Sequence, residues 1–240
     1  MTRRTFVVTG VSTLSAVPVL GFQLFEKYAA AKPAWMVEWI KIYDQNLPNY
    51  KALKVTDVNH KYAGGYRNDM EIPNPHSTAG FIMVSCMLMS CPESMYYQSK
   101  ELVKEVESAA RCMLKFQHSD GTIDLLETNF HSTPDTGFIL ENMIPAYKYL
   151  KLSNVKGAEP SLELLKTFLK NAGEALTVGG IHTPNHRWVV SAALTKLNEL
   201  FPDPRYINRI EQWLAEHIDI DADGKKKKKS TNSYSPIVNR

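Results

Sequence analysis

The sequence predicts an all-α protein built from repeated pairs of helices. Beyond residue 32, apolar residues recur at helical spacing, and no convincing run of alternating apolar and polar residues indicates a strand. Some of the predicted helices carry one apolar stripe, whereas others are apolar nearly all round. Similar polar segments separate them at intervals of about fifty residues, which indicates a repeat architecture.

Three segments show the apolar stripe of a helix with one face in water. The stripes are Leu102, Val106, Ala109 and Met113; Leu165, Phe168, Leu169, Ala172 and Leu176; and Ile207, Ile210, Trp213, Leu214 and His217. Asp203 is the predicted N-cap of the third helix, and Pro204 lies in its first turn. We expect these three helices to form an outer layer.

Three other segments, residues 80–89, 137–144 and 189–194, are apolar on every side. A helix of that kind needs burial all round, so the alternation of the two types predicts an inner and an outer layer. Pro145 is expected to kink or end the second inner helix, because proline lacks the backbone N–H that a helix interior requires.

The junctions before the inner helices also repeat. Residues 133–138 align without gaps on residues 183–188, residues 76–81 form a looser earlier copy, and Ser235 with Pro236 opens a later one. In each junction we expect a hydroxyl residue to cap the helix and, where a proline follows, that proline to occupy its first position. The alignment places Asp135 opposite Asn185.

A repeat of one outer and one inner helix is the signature of an (α/α) toroid. All inner helices of a toroid begin at one rim, so the polar junction residues should converge on one cup-shaped mouth. Residue 240 falls where a further inner helix should begin, and too few hairpins precede it to close a ring. We therefore expect residues 32–240 to be a toroid domain that is incomplete at its C-terminus.

The first 31 residues resemble a twin-arginine export signal. Arg3 and Arg4 follow a threonine and precede an uncharged stretch over residues 7–25, and small residues end at Ala31, the predicted cleavage position. The predicted location is periplasmic or secreted, with no stable membrane insertion after cleavage. If the segment is not cleaved, it is long enough to anchor the protein in the membrane.

Charge and cysteine content narrow the function classes. The formal net charge is only +3, and five of the basic residues lie in one run, residues 225–229, so we expect no nucleic-acid partner. That run is either a solvated loop or an attractor for a polyanionic glycan. Cys86, Cys91 and Cys112 are predicted to be unpaired packing residues, since their number is odd and helix geometry separates the third from the others.

The densest polar cluster, residues 179–188, precedes the third inner helix. It combines the imidazoles of His182 and His186, the amide of Asn185, the guanidinium of Arg187 and the indole of Trp188. Uronic-acid sugars need such a mixture, because their carboxylate must be neutralised before the neighbouring C5 proton can leave. We expect Asn185 and His186 to be catalytic, His182 and Arg187 to bind substrate, and Trp188 either to stack on a sugar or to pack.

The pair Asn185 and His186, with Tyr234 at the following junction, resembles the pattern of the heparinase II/III-like and alginate-lyase-like toroid families. That resemblance implies a β-elimination reaction on acidic polysaccharide or oligosaccharide. It implies that Asn185 neutralises the carboxylate, that His186 is the base or a charge stabiliser, and that Tyr234 is the acid or acid/base.

A second cluster, residues 129–135, predicts an alternative. Asp135 is a candidate catalytic residue, with Asn129 and His131 as substrate-binding neighbours and Asp124 or Glu127 as a partner carboxylate. The stretch that begins at Asp135 is similar to unsaturated glucuronyl hydrolases, which implies a general acid/base role in hydrolysis. The simpler interpretation is that Asp135 only favours the positive end of its helix.

A third alternative is a glycan-binding toroid without catalysis. No cofactor and no metal are predicted. Residues 219–230 begin like a calcium loop, but Ser230 stands where a bidentate glutamate belongs. His182 and His186 flank a predicted helix start at Pro184, so they need not share a face.

Overall fold

The computed structural model describes residues 32–126, 129–181 and 183–215. The chain divides into two compact units, Met1–Trp39 and Ile40–Arg240. In the first unit the described residues are 32–39, which include the start of the first helix. The second unit contains every other element described below.

The described residues are mostly helical, which confirms the all-α prediction. The helices are α1 (Ala34–Ala52), α2 (Pro75–Ser90), α3 (Lys100–Phe116), α4 (Thr133–Leu152), α5 (Glu159–Val178), α6 (His186–Leu200) and α7 (Pro204–Ala215). Strands β1 (Ile123–Leu125) and β2 (Asn129–Ser132) form one antiparallel hairpin before α4, with Ile123 paired to Ser132. The expectation of no strand was therefore wrong here, because these strands are too short to show a clear alternation.

The helices of the second unit pack in two rows, as the alternation of helix types predicts. In the inner row α4 packs between α2 and α6, and in the outer row α5 packs between α3 and α7. Each outer helix also contacts an inner one: α3 packs on α2, α5 on α4, and α7 on α6. The stripe residues of α3 and α5 are all buried, so these stripes are the faces that join the rows.

The inner helices run in the same direction. Near the starts of α4 and α6, the rings of Phe138 and His186 meet edge to face with centroids 6.2 Å apart. Near their ends, Lys148 and Glu199 form a 2.8 Å ion pair. Gln98, just beyond α2, donates a 3.4 Å hydrogen bond to the carbonyl of Ser153 at the end of α4. The starts of all three helices consequently lie on one side of the inner row.

The structure corrects the predicted helix starts. The side chain of Asn74 caps α2 by accepting hydrogen bonds from two backbone N–H groups, and Ser132 caps α4 by accepting one from Asp135. Thr133 and Pro134 lie inside α4, one position later than expected. The third inner helix begins after Asn185, which makes no side-chain cap, so Pro184 is not its first residue.

These starts also change the alignment of the two clusters. Asp135 is the third residue of α4, whereas Asn185 precedes α6, so the two side chains do not occupy equivalent positions. The gapless sequence alignment followed the Thr-Pro pairs, but the chain reaches its helical conformation at different points relative to them.

Two proline predictions have different outcomes. Pro145 does not end α4, which continues to Leu152 and loses the backbone hydrogen bond that this residue cannot donate. Pro204 begins α7 as expected, and Asp203 accepts a 2.9 Å hydrogen bond from the backbone N–H of Arg205. This confirms Asp203 as a cap of the third outer helix.

Two further observations bear on the remaining expectations. All three cysteines are free thiols, as predicted, and Cys86 and Cys112 are buried. Across the ranges that the structure describes, no helix is both long and apolar enough to cross a bilayer. The predicted signal segment, residues 1–31, and the predicted site residue Tyr234 lie outside those ranges.

Candidate functional site

The starts of α4 and α6 bring the two predicted polar clusters side by side. The ring contact between Phe138 and His186 joins them, and Gly179 lies directly against the side chain of Thr133, so a methyl group there would collide with it. This places Asp135 and His186 at the starts of adjacent parallel helices. His182, another predicted member, falls in a gap of the described chain.

Asp135 is a buried carboxylate whose two oxygens differ. Its Oδ2 accepts a short hydrogen bond from the hydroxyl of Ser132 and a 3.5 Å hydrogen bond from Nδ2 of Asn129. Among the described residues, no donor reaches Oδ1. The side chain is only 8% exposed, and it lies in the first turn of α4, where the helix dipole favours a negative charge. One oxygen is therefore held in place, and the other is open to a ligand.

His131 lies at the end of the β hairpin in a conformation that its neighbours hold. Its backbone φ of 49° falls in the left-handed region, and its backbone N–H donates a 2.8 Å hydrogen bond to Asp124. Its ring Nδ1 lies 2.7 Å from Oδ2 of Asp120. The ring stacks on His118, whose Nε2 lies 2.7 Å from Oδ1 of Asp124.

Asp120 is the most perturbed carboxylate of this group. Burial alone would raise its pKa, but hydrogen bonds from the hydroxyl and the backbone N–H of Thr122, together with His131, lower the pKa to about 2. The carboxylate is consequently charged at neutral pH and fixes the imidazole of His131. In the described residues nothing hydrogen-bonds Nε2 of that ring, which leaves this nitrogen open to a ligand.

His118 and Asp120 were not predicted as site residues. His118, Asp120, Thr122 and Asp124 alternate along the chain, but only Asp124 lies in β1, and the other three precede it in the segment between α3 and β1. The turn between α3 and β1 brings these side chains together, so the sequence offered only a run of polar residues as a signal.

The start of α6 presents an amide and an imidazole next to each other. Oδ1 of Asn185 accepts a 2.6 Å hydrogen bond from the hydroxyl of Thr183, and its buried Nδ2 has no hydrogen-bond partner among the described residues. A buried amide N–H without an acceptor costs free energy unless a ligand supplies one. His186 and Trp188 beside it are both half-buried.

Arg187 differs from the expectation that it faces a substrate. Its side chain is 8% exposed, and its Nε donates a 2.8 Å hydrogen bond to the carbonyl of Pro184. The guanidinium therefore fixes the loop that carries Asn185. We assign Arg187 to positioning this loop instead of direct contact with a ligand.

A separate cavity of about 380 Å³ lies at the start of α2, where the sequence analysis found only the loosest junction copy. The residues that line it include Tyr50, Arg67, Asn68, Asp69, Ser77 and Gly80. They come from the end of α1, the segment before α2 and the first turns of α2. The polar run at residues 67–69 was the available sequence signal.

Comparison of the chain with protein-family models, curated proteins and solved structures gave no match. Within residues 32–126, 129–181 and 183–215, no three His, Cys, Asp or Glu side chains come together in a way that would hold a metal ion. The described residues at the starts of α4 and α6 present carboxylate, amide, imidazole and hydroxyl groups.

Proposed function

We propose that this protein is an exported carbohydrate-active protein that acts on acidic polysaccharides by β-elimination. The observation that carries the proposal is Nδ2 of Asn185, which has no hydrogen-bond partner among the described residues and lies beside His186, at a helix start that contacts the start of α4. We further propose that the described helix pairs belong to an (α/α) toroid. Two rows of helices and a shared direction of the inner helices support that architecture.

The proposed reaction begins with neutralisation of the substrate carboxylate. Nδ2 of Asn185 donates a hydrogen bond to this carboxylate, which lowers the cost of negative charge developing at C5. His186 removes the C5 proton, and the electron pair of that C–H bond forms the double bond between C4 and C5. The C4–O bond then breaks, and the departing oxygen takes a proton from Tyr234, a role that rests on the family resemblance alone.

Other residues of the two clusters are proposed to bind the sugar chain. Asn129 donates a hydrogen bond to Asp135, His131 lies on the same strand as Asn129, and Trp188 follows His186 on α6. We propose that His182 completes this set from the loop before α6. An acidic oligosaccharide lying across the starts of α4 and α6 would contact both clusters.

Hydrolysis is the second candidate, and the geometry of Asp135 favours it. Ser132 and Asn129 hold Oδ2 of this carboxylate, while Oδ1 accepts no hydrogen bond from the described residues. In this reaction Asp135 would act as general acid and base, as the resemblance to unsaturated glucuronyl hydrolases implies. Water would be consumed, and no double bond would form.

The two reactions are distinguished by their products. We would incubate the full chain with alginate, heparan, chondroitin and ulvan, and measure both ultraviolet absorbance of unsaturated uronate and release of reducing ends. A lyase produces both signals, whereas reducing ends without absorbance would favour the hydrolase. Absence of absorbance with all four glycans would contradict β-elimination.

Substitutions test the catalytic role proposed for each residue. Asn185→Ala and His186→Ala are expected to reduce β-elimination by about 10²-fold or more, as removal of one stabilising donor or one general base does. Asp135→Asn is expected to remove activity if hydrolysis is the reaction, and Glu199→Gln, at the opposite ends of α4 and α6, is its control. Glycan binding without turnover, unchanged in a His186→Ala, Asp135→Ala double variant, would instead support a binding scaffold.

Export is tested independently. A twin-arginine signal carries folded proteins, which suits a chain whose three cysteines are free thiols. Replacement of both Arg3 and Arg4 by lysine is expected to leave the precursor in the cytoplasm, as detected by fractionation. Unchanged export of this double variant would contradict a twin-arginine route.

A further inference from the structure

The cavity at the start of α2 has the dimensions of a small-molecule site. Its volume of about 380 Å³ lies toward the lower end of the range for ligand pockets, roughly 300–1,000 Å³. Such a space accommodates one or two sugar rings instead of an extended chain. It lies at the same side of the inner row as the starts of α4 and α6, but none of its residues belongs to the site described above.

Arg67 supplies the cavity with a positive charge. Its NH1 group donates a 3.2 Å hydrogen bond to the carbonyl of Lys54, which anchors the half-buried side chain. No carboxylate in the described part of the chain lies within ion-pairing distance of the guanidinium. Since arginine presents five N–H donors in a planar fork, its remaining donors suit a carboxylate ligand.

The other groups around the cavity suit hydroxyl groups. Among the described residues, the hydroxyls of Tyr50 and Ser77 have no hydrogen-bond partner, and the ring of Tyr50 adds an apolar surface. Asp69 is exposed at the cavity, and its carboxylate can accept hydrogen bonds from a ligand. The lining thus combines a guanidinium, a carboxylate, an amide, an imidazole, hydroxyl groups and aromatic rings, a mixture that suits a polyhydroxy acid.

Gly80 leaves open space where a side chain would stand. It lines the cavity from the second turn of α2, and a Cβ atom built there would meet nothing within 4 Å. Glycine inside a helix costs about 0.5–1 kcal/mol relative to alanine. The helix therefore tolerates a larger residue at this position, and that residue would fill the cavity.

We propose that this cavity is a binding site for a single uronic acid unit. The carboxylate of the sugar pairs with Arg67, and its hydroxyl groups bond to Ser77, Tyr50 and Asp69. The choice of a sugar acid rests on the proposed function, whereas the anion site at Arg67 stands on its own geometry. The site would hold one end of an acidic glycan or a released product.

Calorimetric titration of the full chain with D-glucuronate tests the proposal. D-glucose, inorganic sulfate and glycine are the comparison ligands, because they lack the carboxylate, the sugar ring and the hydroxyl groups, respectively. We expect glucuronate to bind at least about 10-fold more tightly than each of them, since a charge-assisted pair adds to several neutral hydrogen bonds. Equal or tighter binding of sulfate or glycine would overturn the assignment to a sugar acid.

Two variants locate the binding. Arg67→Gln is expected to weaken glucuronate binding about 10-fold or more, whereas Arg111→Gln, an exposed arginine paired with Glu107 on α3, should leave it unchanged. Gly80→Leu is expected to abolish binding while the thermal unfolding temperature is maintained. Binding that survives both Arg67→Gln and Gly80→Leu in folded protein would overturn the proposal, as would no glucuronate binding by the parent.

The two proposals fail separately. Turnover of an acidic glycan by a protein that binds no glucuronate in this cavity would leave the proposed function standing and remove the cavity site. Glucuronate binding that depends on Arg67 and persists in His186→Ala, in a protein that turns over no glycan, would leave the cavity site standing and remove the proposed function.

Discussion

The imidazole rings of His118 and His131 stack with centroids 3.8 Å apart and an angle of 21° between their planes. Each ring is tied to a different carboxylate, His118 to Asp124 and His131 to Asp120. The stack thus joins the end of α3 to the strand that leads into α4. It holds the hairpin beside the candidate site in one conformation.

Asp120→Asn tests the charge that holds this stack. The folded-state pKa of Asp120 lies near 2, below its ordinary value of 3.8, so the folded protein binds this proton more weakly than the unfolded chain does. The stabilisation is therefore fully present above about pH 4 and is lost as the pH falls toward 2. Because the side chain is about half exposed, we expect the substitution to cost less than about 1 kcal/mol at pH 7.

Urea unfolding of the parent and of Asp120→Asn at pH 7 and at pH 2 provides the measurement. The difference between their free energies of unfolding should shrink on acidification. A difference that grows as the pH falls would show that the charge of Asp120 is not its source.

Thr78 and Thr136 occupy equivalent places in α2 and α4, and they make the same pair of hydrogen bonds. Each hydroxyl donates to the carbonyl of the helix cap and accepts from a backbone N–H of the preceding segment, that of Tyr66 or Ile123. Thr136→Val keeps the shape but leaves the buried N–H of Ile123 unpaired. We expect a loss of about 1–3 kcal/mol in the free energy of unfolding.

Thr78→Val should lower the free energy of unfolding by a similar amount if the two threonines are structurally equivalent. Thr195→Val is the control, because its hydroxyl only donates to the carbonyl of Ser191 one turn earlier on α6. Chemical denaturation measures all three. A cost for Thr136→Val no greater than for Thr195→Val would contradict the role of the hydroxyl as an acceptor.

The two rows of helices could be predicted because the buried positions of a helix carry apolar residues at helical spacing. Leu102, Val106 and Met113 could be assigned to the buried face of α3 from spacing alone, and the structure buries all three. The all-round apolar segments likewise predicted the inner row. The cap of α7 at Asp203 was also readable, since an acidic residue before proline marks a helix start.

The site was harder to predict, because its geometry depends on where each helix begins. A shift of one residue changed the cap of α4 from Thr133 to Ser132, and the start of α6 moved past Pro184. His131 pairs with Asp120 while its own backbone φ is positive, a conformation that no local sequence pattern predicts. The cavity residues Tyr50, Arg67 and Gly80 come together only in the folded chain.

Gly121 is a position where a side chain is expected to be severely destabilising. Its φ of 84° is in the left-handed region, and an added Cβ would collide with the backbone carbonyl of Asn171 on α5. Gly121→Ala therefore combines backbone strain with a clash that backbone atoms cannot relieve. We expect a loss of more than about 2 kcal/mol in the free energy of unfolding.

Gly157→Ala is the matched control for Gly121→Ala. Its φ of 80° is similar, but a Cβ atom there would meet nothing within 4 Å. Strain alone should cost about 1–2 kcal/mol. Urea denaturation of both variants separates backbone strain from the clash with α5. Equal losses in the free energy of unfolding would show that the approach of Gly121 to α5 is not tight.

The three cysteines are expected to differ in reactivity although none of them forms a disulfide. Burial raises the pKa of the Cys86 thiol strongly, and it raises the pKa of the Cys112 thiol to about 11 despite the opposing charge of Lys115. Both side chains are 0% exposed, whereas Cys91 is half-buried at the end of α2. A thiol-specific colorimetric reagent at pH 8 should therefore modify Cys91 first.

Cys91→Ser provides the decisive comparison for this order of reactivity. The folded variant should lose the fast phase of the reaction, while denaturant should expose two thiols in it and three in the parent. Raising the pH from 8 toward 11 should accelerate Cys112 only if the reagent can reach it, because the thiolate is the reactive form. A fast phase that persists in Cys91→Ser would show that α2 or α3 opens readily enough to expose a core thiol.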